Sequence, residues 1–110
     1  MAVTYEYDIL ASAAPADTNL ATLLTLGAGE ELIQAQVMCC NKSGADLTIR
    51  VGIGTGPAQD AWLCYDFTLY ANLFVRFYIP GLGSLNKVFV RTSSANNVDF
   101  SISGLKKTTA

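Results

Sequence analysis

The residue types that most often carry chemistry in proteins are sparse in this sequence. It has three cysteines (Cys39, Cys40 and Cys64), no histidine, and nine acidic residues scattered along the chain. Without histidine there is no ordinary Ser-His or Cys-His pair for nucleophilic catalysis. Zinc takes four ligands, usually from closely spaced Cys and His pairs, and no such pairs occur here. We therefore expect no enzymatic activity, no metal site and no cofactor.

The three cysteines are interpreted as reduced, buried thiols. Their number is odd, and no basic residue precedes an apolar run near the N-terminus, where Glu6 and Asp8 occur instead. The sequence therefore predicts no signal peptide and no disulfide framework. Cys39 and Cys40 are adjacent in a predicted strand, so their side chains point to opposite faces and cannot easily bond to each other.

A glycine-rich stretch, Gly52-Ile53-Gly54-Thr55-Gly56, superficially resembles a phosphate-binding loop. Such loops bind phosphate because a helix N-terminus follows them, or because a Lys and a Ser or Thr complete the site. Here Pro57 and another predicted strand follow. The stretch is therefore interpreted as a loop between strands.

Four aromatic residues on predicted strands, Trp62, Tyr65, Phe74 and Tyr78, leave two interpretations open. They could form a platform for a sugar ring. Aromatic residues at alternating strand positions more often belong to a core or to a subunit contact, and no polar residues converge on these four in the sequence, as a sugar site requires. The contact interpretation is favoured.

Charge is low throughout the chain. Charged residues make up 15% and hydrophobic residues 51%, against about 25% charged residues in an average soluble domain. This composition fits either a well-buried β domain or a protein whose apolar surface is covered by other subunits. Arg76 and Arg91, each among apolar neighbours, are accordingly expected at an interface or on an exposed face.

The distribution of charge argues against two classes of partner. The net charge is −2, and Lys106-Lys107 is the one basic pair. Nucleic-acid phosphates and anionic membranes both require clustered positive charge, so neither is expected as a partner. No segment has the length and apolarity of a transmembrane helix.

The closing stretch, Leu85 to Gly104, shows the clearest strand pattern. Apolar residues alternate with polar ones on both sides of the small polar run 92–97, which predicts an antiparallel hairpin. Its inward residues (Val88, Val90, Phe100 and Ile102) would close the core. The opposite face, with Phe89, Arg91 and Asp99, is a candidate subunit contact.

Turn residues separate seven short strands in the body of the chain, and no helix is convincing. The predicted strands are 20–26, 30–41, 47–53, 60–70, 73–79, 85–91 and 98–104. This spacing predicts an all-β fold, an antiparallel sandwich of Ig-like or jelly-roll style with about seven to eight strands. A small barrel is the alternative.

The N-terminal residues form a separate segment in this interpretation. Residues 2–10 alternate like a strand, but the small, polar and proline-containing run 11–19 separates them from the body. The segment is either a first strand folded onto the domain or an extended arm that pairs with another subunit, and the arm is favoured. The chain thus divides into an arm or swapped strand (1–19), a sandwich body (20–105) and a flexible tail (106–110).

The order of these signals resembles a known group of proteins. A strand ending in Cys40-Asn41 is followed by Ser43-Gly44-Ala45 and the strand LTIRVGI, then by a Gly/Pro loop, Tyr65-Asp66-Phe67, the Ala71-Asn72 turn and the closing VFVRTSSANNVDFSISGL. Over residues 20–105 this pattern is similar to small β-sandwich virion proteins of tailed bacteriophages, namely capsid decoration (cement) proteins and related tail accessory modules.

The resemblance implies a non-enzymatic virion structural protein, most specifically a capsid decoration protein. Such a protein is made in the host cytoplasm, assembles as a homo-oligomer (trimer favoured) and binds the major capsid protein lattice at the capsid surface, where it bridges neighbouring subunits. A tail, fibre or baseplate accessory module is the alternative, and a glycan-binding module is the less favoured one. The candidate partner contacts are Val3, Tyr5, Tyr7, Ile9, Trp62, Arg76, Phe89 and Arg91.

Overall fold

The structure, a computed structural model that describes residues 2–110, is an antiparallel β-sandwich, as predicted. Its eight strands are β1 (Val3–Ala13), β2 (Ala21–Thr25), β3 (Glu30–Asn41), β4 (Leu47–Gly54), β5 (Ala61–Leu69), β6 (Phe74–Ile79), β7 (Lys87–Thr92) and β8 (Val98–Thr109). Across residues 2–110 we find no helical segment with the length and hydropathy needed to span a lipid bilayer.

Two four-stranded sheets form the layers. Sheet A has the strand order β1-β8-β3-β6, and sheet B has the order β2-β7-β4-β5. Three strands of sheet A are long: β1 has 11 residues, and β3 and β8 have 12 each. The strands of sheet B have 5 to 9 residues. The molecule is accordingly elongated, at 50 × 25 × 21 Å.

The predicted closing hairpin is wrong. β7 pairs with β2 and β4, while β8 pairs with β1 and β3, so the two strands lie in different sheets. The alternating pattern determines which side chains of a strand are buried, but it does not determine the strand's partner. A sandwich core needs apolar side chains from two facing layers, and the connection 93–97 crosses from sheet B to sheet A to supply them.

The core residues of these two strands are as predicted. Val88 and Val90 from sheet B, and Phe100 and Ile102 from sheet A, are all 0% exposed and belong to one apolar cluster. Cys39 also lies in this cluster, whereas Cys40 and Cys64 are half-buried. All three thiols are free.

Both chain ends take part in sheet A. β1 pairs with β8 from Val3 opposite Thr109 to Ala13 opposite Phe100, and its last residues pack against the core. The structure thus shows β1 on its own domain, and its exchange between subunits stays a prediction. The expected flexible tail, 106–110, is instead part of β8 as far as Thr109. Main-chain pairing with β1 and β3 holds it there, and the Lys106 ammonium lies 3.1 Å from a carboxylate oxygen of Glu30.

One buried polar side chain, that of Asn41, joins the two sheets at one end of the sandwich. Asn41 ends β3 and is 1% exposed. Its Nδ2 donates to the main-chain oxygens of Ala45 (2.9 Å), Leu69 (3.0 Å) and Tyr70 (3.2 Å). Its Oδ1 accepts from the amide and the hydroxyl of Ser43, at 2.9 and 2.8 Å. Since Leu69 ends β5, this amide connects sheet A with sheet B.

Replacement of Asn41 by alanine is expected to destabilise the fold strongly. The substitution leaves buried main-chain oxygens without donors, which costs about 2–4 kcal/mol of unfolding free energy. Asn86→Ala is the matched control, because the Asn86 side chain makes one exposed hydrogen bond, to the Gly83 carbonyl, and its loss should cost about 1 kcal/mol or less. Urea unfolding followed by circular dichroism measures both, and equal losses would contradict the role given to Asn41.

Candidate interaction surfaces

The outer face of β1 carries large apolar side chains that no other part of residues 2–110 covers. Val3, Tyr5, Tyr7 and Ile9 are 44%, 62%, 80% and 67% exposed. β1 is also an edge strand, because β8 is its one partner in sheet A. The backbone groups on its free side are therefore available for pairing with another strand. Both features are typical of a surface that binds a partner.

The other edge of sheet A, β6, extends the same apolar face. Phe74 and Tyr78 are 57% and 61% exposed. The register places Tyr78 opposite Gln36, which lies opposite Ser103, which lies opposite Ile9. Both edges thus contribute to one outer surface. We call it the sheet A face, and it consists of Val3, Tyr5, Tyr7, Ile9, Phe74, Arg76 and Tyr78.

A shallow groove crosses the middle of the sheet A face. Tyr7 and Tyr78 stand on its two sides, and Gln34, Gln36 and Ser103 line it between them; its volume is about 160 Å³. The groove is too small to bury a drug-sized ligand, which needs about 300 Å³ or more. It fits side chains inserted from a protein partner better than a separate small molecule.

Arg76 lies on the sheet A face beside Phe74. Its guanidinium carbon lies 5.4 Å from the centre of the Phe74 ring, and among residues 2–110 no carboxylate forms an ion pair with it. The prediction of an exposed or interface arginine agrees with this placement. A guanidinium with free donors beside an aromatic ring can anchor a partner's carboxylate.

The outer face of sheet B has a different character. There Arg50 donates to Asp66 through Nε (2.7 Å to Oδ1) and Nη2 (3.1 Å to Oδ2). Its guanidinium carbon also lies 3.9 Å from the Tyr65 ring centre and 5.8 Å from that of Trp62. The two rings meet edge to face at 5.2 Å. Arg50 is thus fixed by a bidentate ion pair and by stacking.

An irregularity in β5 brings Asp66 to Arg50. The register between β4 and β5 shifts on both sides of Val51, and Asp66 has a φ of 51°. This left-handed conformation is uncommon for a residue with a side chain and typifies bulges. The hydrogen bonds from Arg50 lower the pKa of the Asp66 carboxyl, and those same bonds raise the pKa of Arg50.

Arg91 lies next to Arg50 on the same surface. The two residues are directly opposite each other in the pairing of β4 with β7. Arg91 donates from Nε to the main-chain oxygen of Thr18 (2.9 Å), and its Nη1 is 4.0 Å from the Asp66 carboxylate. Both guanidinium groups therefore lie near one carboxylate, which accepts its hydrogen bonds from Arg50.

These residues line a cleft between sheet B and the segment that follows β1. Its volume is about 380 Å³, and its lining residues are Thr18, Asn19, Leu20, Arg50, Gln59, Trp62 and Arg91. Gln59 and Trp62 can pack against the sheet on one side of the cleft because residue 52 is a glycine. A Cβ at Gly52 would lie 2.9 Å from Gln59 Cβ and 3.0 Å from Trp62 Cε3. We call this site the sheet B cleft.

Two sequence-based placements differ from the structure. Phe89, expected on an exposed contact face, does point away from the core but is 1% exposed. It lies opposite Gly52, where the missing side chain lets Gln59 and Trp62 pack closely over the sheet. The four-residue aromatic platform is also wrong, because Trp62 lies on β5 of sheet B and Tyr78 on β6 of sheet A.

The sequence predicted Trp62 and Arg91 as candidate contact residues but did not predict a role for Arg50 or Asp66. A signal for Arg50 was present, since it alternates with the buried Ile49 and Val51 and must point outward. No signal identified Asp66, because its position depends on the bulge. No group of three or more potential metal ligands occurs within the described part of the chain.

Comparison with known proteins gives a fold but no family. No protein-family profile matches the chain, and no curated protein matches its sequence. One similar structure comes from Bacillus endospore appendages, which form disulfide-linked pili. Its TM-score is 0.61 at 11% identity, over 97% of this chain and 88% of that one.

Two further similar structures come from virus particles. The coat protein of Tobacco streak virus has a TM-score of 0.54 at 8% identity, over 97% of this chain and 86% of its own. A chain from the capsid of Helicobacter pylori bacteriophage KHP30 has a TM-score of 0.53 at 14% identity, over 99% of this chain and 98% of its own. At these identities the similarity shows a shared β-sandwich fold.

Acid should release the Arg50–Asp66 pair at a pH below the ordinary aspartate pKa of 3.8. Because folding lowers this pKa, the pair is intact above 3.8 and is lost as the pH falls through the lowered value. Trp62, the one tryptophan, should then change its emission with a midpoint below 3.8. Asp66→Asn should lack this step.

The control is Asp99→Asn, which removes an exposed carboxylate that pairs with Lys42. It should keep the fluorescence step. Circular dichroism recorded on the same samples separates the local change from acid unfolding. A midpoint above 3.8, or an unchanged step in Asp66→Asn, would contradict the described coupling.

Proposed function

We propose that this chain is a non-enzymatic structural protein of a virus particle, and specifically a decoration protein that binds an assembled phage capsid. The sheet A face carries the proposal. It presents exposed aromatic and aliphatic side chains together with an unpaired strand edge and with Arg76, and the ion pair between Lys107 and Glu31 borders it beside Tyr5. Protein interfaces are enriched in aromatic residues and arginine in the same way.

The fold is consistent with this role. A coat protein and a capsid chain of two virus particles share the sandwich over most of their own length. The sequence resemblance to decoration and tail accessory proteins points in the same direction. Neither likeness specifies a function, so the proposal depends on the surface chemistry of the sheet A face.

In the proposed mechanism each copy bridges neighbouring shell subunits with the sheet A face. Disassembly of the shell then has to separate these additional contacts. A contact of about 1,600 Å² in total is the usual size of a stable protein interface. The free edge of β1 would pair with a strand of the partner, which adds main-chain hydrogen bonds to the apolar contacts. Arg76 would pair with a carboxylate of the shell.

The proposed partner is the major capsid protein lattice, and the proposed decorating unit is a homo-oligomer, with a trimer favoured. The segment 14–20, which connects β1 to the body and contains Pro15, would allow β1 to pair with a neighbouring copy instead of its own β8. Light scattering coupled to size-exclusion chromatography measures the mass of the unit. A chain that remains monomeric both free and bound would contradict this part.

The binding test uses undecorated capsids and a Tyr5→Ser/Tyr7→Ser variant. Both side chains are largely exposed, so the variant should fold normally but lose apolar contacts. We expect its affinity for capsids to fall at least about tenfold, equivalent to about 1.4 kcal/mol. Tyr70→Ser removes another exposed tyrosine, which lies outside the sheet A face, and should bind like the unmodified protein. Co-sedimentation with capsids measures all three.

Two outcomes of this test would overturn the decoration proposal. One is an absence of capsid binding together with binding to purified tail or baseplate complexes, which would establish the tail-module alternative. The other is equal weakening by the Tyr70 substitution, which would show that binding does not depend on the sheet A face.

A further inference from the structure

We propose that the sheet B cleft is a binding site for a carboxylate-bearing sugar. The site lies on sheet B, whose outer surface faces away from the sheet A face. It would therefore stay open while the sheet A face is docked on a shell. The inference does not depend on the capsid proposal, and it would add recognition of an acidic glycan to a protein whose other surface serves assembly.

The first argument is the excess of positive charge in the cleft. Arg50 and Arg91 both line it, and Asp66 is the one carboxylate paired with them in the described chain. Asp17 and Asp60 lie nearby in sequence, but their carboxylates accept from the main-chain amides of Asn19 and Thr55. Neither Asp17 nor Asp60 lines the cleft. One guanidinium thus remains available for an anionic ligand.

The second argument concerns the donors of Arg91. Its Nε is used by the Thr18 carbonyl, which fixes the plane of the side chain. Its Nη1 approaches Asp66 no closer than 4.0 Å, which exceeds hydrogen-bonding distance, and no hydrogen bond within residues 2–110 uses Nη2. A planar, oriented guanidinium whose Nη1 and Nη2 both have unused donors suits the two oxygens of a carboxylate.

The third argument is the composition and size of the cleft. Trp62 supplies an aromatic surface for the apolar side of a sugar ring. Thr18, Asn19 and Gln59 offer a hydroxyl and two amides, the groups that bind sugar hydroxyls. The volume of about 380 Å³ lies at the lower end of small-ligand pockets, about 300–1,000 Å³. Aromatic surface, amides and a free guanidinium together fit an acidic sugar better than a neutral one.

The network behind the cleft supports it as a preformed site. Arg50 is locked by Asp66 and by the Tyr65 ring, and Trp62 is held against Gly52 and Tyr65. Side chains that are already fixed lose little conformational entropy when a ligand binds. The binding groups therefore need little rearrangement.

The emission of Trp62 provides a direct test, because the chain has a single tryptophan and it lines the cleft. Sialyllactose and trigalacturonate serve as acidic probes, and lactose as the neutral control. We expect a saturable change in emission with at least one acidic probe and none with lactose. Added salt should weaken the binding, because the carboxylate contact is partly exposed.

Variants identify the residues responsible. Arg91→Gln should weaken acidic-probe binding at least tenfold, whereas Arg76→Gln, which removes an arginine from the opposite surface, should leave it unchanged. Arg91→Gln also removes the hydrogen bond from Arg91 to the Thr18 carbonyl. Asn19→Asp therefore provides a second test, because it leaves that hydrogen bond in place. It adds a negative charge to the cleft and should also abolish binding. Melting temperatures measured on all variants exclude misfolding.

Three results would overturn the inference. The first is the absence of a saturable response to both acidic probes. The second is an equal response to lactose, or an unchanged response in Arg91→Gln and Asn19→Asp. The third is tighter binding of a glutamate-rich peptide than of either sugar, which would assign the cleft to an acidic protein partner. None of these results bears on the sheet A face, so the capsid proposal is tested separately.

Discussion

The structure depends on the burial of the inner faces of its two sheets against each other. The central strands β7 and β8 contribute side chains that are fully excluded from solvent, among them Val88, Val90, Phe100 and Ile102. Burial of this kind is the main favourable term in folding, at about 25 cal/mol per Å² of apolar area. It also explains why β7 and β8, which are adjacent in the chain, occupy opposite sheets, since each sheet needs its own apolar layer. Asn41 then joins the two layers with a buried amide.

Because the core is built from the inner faces, the two outer faces are free to differ. The sheet A face combines exposed tyrosines and aliphatic residues with a free strand edge, whereas the outer face of sheet B carries the Arg50–Asp66 pair and the cleft beside it. An exposed apolar surface is costly unless a partner covers it. A fixed ion pair with stacked rings is instead compatible with solvent. The two faces are therefore suited to different partners, a protein surface for sheet A and a small polar ligand for sheet B.

The sequence predicted the parts of the fold that depend on local alternation. β3 begins at Glu30 and ends at Asn41 as expected, and alternation correctly assigned the inward residues of β7 and β8. Strand pairing was not predictable, because the short connection 93–97 is compatible both with a hairpin and with a crossing between sheets. The burial of Phe89 depends on Gly52 in another strand, and the position of Asp66 depends on a bulge. Both are tertiary effects, and no local pattern encodes them. The placement of β1 on its own β8 was one of the two alternatives left open.

The central claim is that the sheet A face binds the capsid shell, and hydrogen exchange of the free and capsid-bound protein tests it most directly. Amides at the free edge of β1 and in β6 lie at the proposed contact, whereas those of β5 (Ala61–Leu69) lie on the other sheet. Bound protein should show slowed exchange in residues 3–9 and 74–79 and unchanged exchange in residues 61–69. Slowing confined to residues 61–69, or uniform exchange in both states despite binding, would contradict the account.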